Sequence, residues 1–157
     1  NHYEEWALEV NGVGRAIVYP LWNGNGTVKV MIIGNDNKPV TEDIIENCKA
    51  HIEENMPIGC QLTVTTPSLL NVVIKANVEL KEGYDMENIK LDFGASLNEY
   101  LKGVTSELTY SKIYGLLANH LAVEDITELK INNSNSNISI SEDKIINISE
   151  IILSEVV

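Results

Sequence analysis

Arg15-Ala16-Ile17-Val18-Tyr19-Pro20-Leu21-Trp22-Asn23-Gly24-Asn25-Gly26-Thr27-Val28-Lys29-Val30-Met31-Ile32-Ile33 reads as two strands around a turn. β-branched and aromatic residues crowd both flanks, and Asn-Gly-Asn-Gly between them supplies residues that reach positive φ at little cost. A β-hairpin is expected, with Arg15 to Trp22 as its first strand and Thr27 to Ile33 as its second. Val28, Val30 and Ile32 then share one face of the return strand. Gly12-Val13-Gly14 leads into it as a flexible segment.

Beyond the hairpin, Gly34 to Lys38 is a polar loop. Pro39-Val40-Thr41 then announces a helix, with Thr41 as N-cap and Glu42 and Asp43 at its positive end. Ile44, Cys48, Ile52 and Met56 recur every fourth residue, with Ile45 beside them, so one apolar stripe runs along that helix. Pro57-Ile58-Gly59 stops it, Gln61 to Thr65 is a third strand, and Thr66-Pro67 closes the unit. Residues 1–67 thus read as an α+β unit of order ββαβ. Gly12, Gly14, Pro20, Gly24, Gly26, Pro57 and Gly59 shape its turns.

Residues 68–157 read as a second α+β unit. Asn71 to Lys81 alternates, with Val72, Ile74, Ala76, Val78 and Leu80 on the buried face. Asp85 caps a helix whose apolar positions are Met86, Ile89, Phe93, Leu97, Tyr100, Leu101 and Val104. Gly94 costs that helix about 1 kcal/mol against Ala, which points to a close packing contact. Thr109 to Leu121 is a shorter helix with Ile113, Leu116 and Leu117 inward. Ile126 to Ile131, Asn137 to Ser141 and Lys144 to Leu153 follow as a terminal β-meander, with the tract Asn132 to Asn137 as an extended hairpin loop. The fold class is α+β, two small consecutive units with mixed or antiparallel sheets.

The chain has 157 residues, enough to bury roughly 70% of its unfolded surface without disulfides or metal. Its 44% hydrophobic content excludes wholesale disorder. Eleven Lys and Arg stand against 23 Asp and Glu, for a net charge of −12. That surplus repels phosphate backbones and anionic lipid, so neither nucleic acid nor membrane is expected as a partner. The start, Asn1 to Trp6, has no basic or apolar leader segment and is not read as a signal peptide. Cys48 and Cys60 read as small buried hydrophobes. The Asn-x-Ser/Thr triplets at Asn25, Asn132, Asn137 and Asn147 are expected by chance in a chain this rich in Asn and Ser.

No catalytic, cofactor or metal residues stand out. His2, His51 and His120 lack partners at metal-ligand spacing; Cys48 and His51 share a helix but no further pair joins them. No Gly-x-Ser-x-Gly elbow occurs. Gly12-Val13-Gly14-Arg15 opens a strand rather than a helix, so it is no phosphate loop. Glu42, Asp43, Glu46, Glu53 and Glu54 fall on the polar side of the first helix, as a solvated face requires. Trp6 and Trp22 are core or interface candidates: Trp22 ends a strand, which favours core burial, while Trp6 stands between the two roles.

Trp6, then Val10 to Ala16, then Val18 to Val28 fall in an order that resembles the baseplate J-like proteins of contractile phage tails, prophages and phage-tail-like particles. Pro39 and its helix, Pro57-Ile58-Gly59, Leu62 to Pro67, Tyr110 to Ile113 and Val123 to Ile126 continue it. Ala122 departs from the Gly the family favours there, and Ile145 to Val157 is plainer than the family's usual close. The resemblance implies a structural wedge component linking the hub of a tail baseplate to its periphery. Its implied partners are other baseplate and tail proteins and copies of itself in the assembled ring. Its implied location is the virion tail baseplate, assembled in the bacterial cytoplasm. Members are longer at the N-terminus, so the chain reads as the C-terminal part of one, expected to be monomeric or weakly associating alone. A tail-associated hydrolase using a carboxylate pair, and a binding or adaptor module outside any phage, are the competing readings.

Overall fold

The hairpin forms where its residues place it, with β1 (Val13–Pro20) antiparallel to β2 (Thr27–Gly34) and Pro20 facing Val28. The computed structural model describes all residues, Asn1–Val157, in two units. One holds Asn1–Leu69 with Asp143–Ile145, the other Leu70–Glu142 with Ile146–Val157.

In the first unit, β3 (Gln61–Thr65) runs parallel to β2, Thr27 opposite Gln61 and Met31 opposite Thr65, in the order β1-β2-β3. Parallel neighbours need a crossover, and α2 (Glu42–Asn55) provides it. Its Cys48 and Ile52 are buried against Val28, Val30, Ile32 and Val64, with Ile44, Ile45 and Met56 at the margin. Met31 and Ile33, on the other face of β2, are buried as well, so burial along β2 does not alternate as expected. Thr41 occupies the N-cap of α2 but its side chain makes no cap hydrogen bond. Instead Thr66 Oγ1 accepts from Val40 N at 3.0 Å and donates to Ile32 O at 2.8 Å, tying the helix start to the sheet.

A short helix, α1 (His2–Leu8), precedes the hairpin and was not expected. Asn1 Oδ1 accepts from Tyr3 N at 3.0 Å, and Glu4 and Glu5 sit in its positive first turn. Tyr3, Trp6 and buried Ala7 turn toward the core of this unit.

In the second unit, β4 (Ser68–Leu80) is central, in the order β6-β4-β8. α3 (Met86–Leu101) and α4 (Tyr110–Ala118) cover one face, burying Ile89, Phe93, Leu97, Ile113 and Leu117 against Val72, Ile74, Ala76 and Val78. Asp85 caps α3 by accepting from Asn88 N at 3.1 Å. β6 (Val123–Ile131) is antiparallel to β4.

The terminal meander is a correction, because β6, β7 (Ile138–Ser139) and β8 (Lys144–Glu155) do not pair in succession. β7 pairs with β5 (Glu107–Leu108), a two-residue strand before α4. Asn147 bonds Asn71, Ser149 bonds Val72 O and Val156 bonds Val78 O, so β8 runs in the same direction as β4. β8 is thereby antiparallel to β6 but not its neighbour; the chain crosses over and adds β8 to the other side of β4. The tract Asn132 to Asn137 is therefore no hairpin loop. Asn132, at φ +48°, receives Val73 N on its Oδ1 at 2.8 Å and ends the β4–β6 ladder. Asn137 Oδ1 receives Tyr110 N at 2.8 Å, capping α4, while its Nδ2 donates to Glu107 at 2.9 Å.

Candidate functional site

Aromatic and aliphatic side chains left in water need a reason when they gather at one place. β1 ends at Pro20, and Leu21 then takes φ +55°, so the chain turns before Trp22. Trp22 thus lies in the connection rather than on the strand and is 45% exposed, which corrects the expectation of core burial. Gly24, Gly26 and Gly59 all carry positive φ, as does Gly12 at the start of β1. Gln61 N donates to Gly26 O at 2.7 Å, placing the turn after α2, with Pro57, Ile58 and Gly59, beside the hairpin tip. Leu21 and Ile58 are exposed with Trp22.

The tip is ordered by its own hydrogen bonds. Leu21 N donates to Thr27 O at 2.8 Å, and Thr27 Oγ1 accepts from Asn23 N at 3.1 Å while donating to Gly24 O at 2.7 Å. Lys29 Nζ lies 4.7 Å from the Tyr19 ring centre and 5.1 Å from that of Trp22. Trp6 has a different setting: it is half-buried on the core of its unit, stacked on His2 and edge-on to Tyr3.

Other chemistry-bearing groups are used locally. His51 Nε2 meets Glu9 at 2.7 Å, linking α2 to α1, and His120 Nε2 meets Asp92 at 2.8 Å. Cys48 is fully buried and its thiol is pushed up to about 11 by that burial. Cys60 is half-buried, and burial followed by the neighbouring Cys60 raises the Tyr3 phenol. A shallow groove of about 350 Å³ on the second unit is lined by Lys75, Asn77, Glu128, Lys130 and Asn133. A glycosidase-like site needs two carboxylates facing one cleft, whereas this groove offers Glu128 alone, 3.9 Å from Lys130. No group of three His, Cys, Asp or Glu side chains is placed to hold a metal ion. No helix is long and apolar enough to cross a membrane.

The two α+β units bury only apolar side chains, and of the large apolar residues left in water Leu21, Trp22 and Ile58 gather at the hairpin tip and the turn beside it. Residues 1–66 match the Baseplate J-like central domain and residues 72–154 the Baseplate J-like protein C-terminal domain, so the chain belongs to the baseplate J-like family. It is 30% identical over 151 residues to phage-like element PBSX protein XkdT of Bacillus subtilis (strain 168), covering 90% of this chain and 43% of that protein. Protein YqbT of the same strain is 31% identical over 150 residues, with 89% and 43% covered. The chain thus spans less than half the length of these relatives. A chain in the cryo-EM structure of the six-fold symmetrised anti-feeding prophage baseplate shares the fold. The TM-score is 0.68 at 10% identity, over 98% of this chain and 37% of that one.

Proposed function

We propose that this chain is part of a wedge protein in a contractile-tail baseplate, linking hub to periphery without catalysing a reaction. The observation that carries this reading is the unbroken succession of the family's central and C-terminal domains along the chain. The likeness to a baseplate chain over 98% of its length supports the same reading. Its partners are other baseplate and tail proteins and copies of itself around the ring, not nucleic acid or membrane. Assembly takes place in the bacterial cytoplasm. Residues 1–67 and 68–157 act as two consecutive modules of that wedge.

The experiment is deletion of the full-length protein from its host, followed by electron microscopy of induced lysates. Loss of sheathed tails, restored by supplying the protein, is expected. Normal sheathed tails in its absence would overturn the reading.

A further inference from the structure

The hairpin tip leaves 62% of Leu21 and 45% of Trp22 exposed, and the turn beside it 105% of Ile58, all at one end of the β1–β2–β3 sheet. Leu21 holds φ +55°, a conformation that a branched aliphatic residue adopts at a cost, and no burial of its side chain offsets that cost. The Thr27 hydrogen bonds and the Lys29 ammonium over the Trp22 ring fix the tip in advance. A preordered Trp loses little freedom on docking, which is what an interface anchor requires.

Charge indicates the surface it fits. Residues 10–35 carry Arg15 and Lys29 and no acid, and residues 57–74 carry no charge at all. A chain of net −12 with +2 in residues 10–35 has −14 elsewhere. In the first unit the acids gather on the helices: Glu4 and Glu5 on α1 are exposed beside Leu8, itself 45% exposed. That face pairs an apolar spot with carboxylates, complementary to an apolar tip with a lysine.

We propose that the tip docks on α1 of a second copy of this chain, with Leu21, Trp22 and Ile58 covering Leu8 and Lys29 facing Glu4 and Glu5. The contact joins two different surfaces, so it propagates from copy to copy and forms a ring where the rotation between copies closes. Three apolar side chains fall short of the roughly 1,000 Å² that a stable interface buries, so isolated chains associate weakly. Copies held in place by other contacts gain it at high effective concentration. This inference rests on the baseplate reading.

The test uses the full-length protein with Ile58→benzoylphenylalanine, isotopically heavy and light copies mixed, irradiated in assembled particles and mapped by mass spectrometry. The expected adduct joins position 58 to residues 2–9 of another copy. Trp22→Ala, and separately the surface change Glu5→Lys, should each cut its yield at least tenfold. An adduct to a different tail protein, an adduct within one copy, or none would overturn the docking. Absence of the protein from the particles altogether would overturn the baseplate reading itself.

Discussion

Gly14 and Asn35 approach so closely across the end of the hairpin that a Cβ on Gly14 would lie 2.7 Å from Asn35 Cα and 2.8 Å from Gly34 O. The β1–β2 register shifts at this point, between Val13 and Arg15. Both obstructing groups are backbone, so a side chain here must displace the sheet. Gly14→Ala should lower stability by about 2–3 kcal/mol, read as an earlier urea midpoint with unchanged slope. A variant as stable as the parent would show that the bulge absorbs a Cβ.

Gly94 behaves in the opposite way. A Cβ there would stop 3.8 Å from Ile151 Cδ1, an ordinary contact, so the close packing expected of this glycine is not present. Gly94→Ala should therefore raise stability by about 1 kcal/mol through helix propensity alone. A lower melting temperature would mean that Ile151 of β8 sits nearer α3 than a 3.8 Å contact allows.

Asn137 joins the start of α4 to β5, receiving Tyr110 N and donating to Glu107. Asn137→Ala should cost about 1–2 kcal/mol, whereas Asn135→Ala in the same polar tract should stay within about 0.5 kcal/mol. Chemical denaturation of both variants distinguishes a knitted segment from an idle loop.

Cys48 stays protonated in the folded chain up to about 11, against an ordinary value of 9.0. Unfolded chains give up this proton first, so the Cys48 contribution to stability is complete below pH 9 and is lost as pH rises from about 9 to about 11. Cys48→Ala should flatten the alkaline fall in stability relative to the parent, as followed by urea unfolding across that range. Thiol-specific reagents should label Cys48 only after unfolding.

Periodicity carried most of the fold. The stripe through Ile44, Cys48 and Ile52 and the alternation from Val72 to Val78 mark buried faces, and both are buried. What failed depends on partners far along the chain. β-rich residues in β6 and β8 say that strands form, not that both flank β4. That order arises because the chain crosses over and pairs β8 with the free edge of β4, 76 to 77 residues back in sequence, which no local spacing encodes. α1 was legible in principle from Asn1, Glu4 and Glu5 and from Tyr3, Trp6 and Ala7 at helical spacing, but seven residues give a weak periodic signal. Trp22 was misplaced because β-forming residues continue past Pro20, whereas the turn is set at Leu21, a residue whose composition gives no hint of positive φ. The order of Trp, Gly and Pro that carried the family resemblance includes Leu21 and Trp22, while their exposure becomes visible only once the turn is built.

The central claim is that this chain serves as a structural part of a tail baseplate. Quantitative mass spectrometry of purified tail particles tests it most directly. Peptides from residues 1–157 should be recovered at one constant ratio to the tube protein, through every purification step and after sheath contraction. Recovery of the protein only in the soluble fraction, with intact particles free of it, would contradict the account.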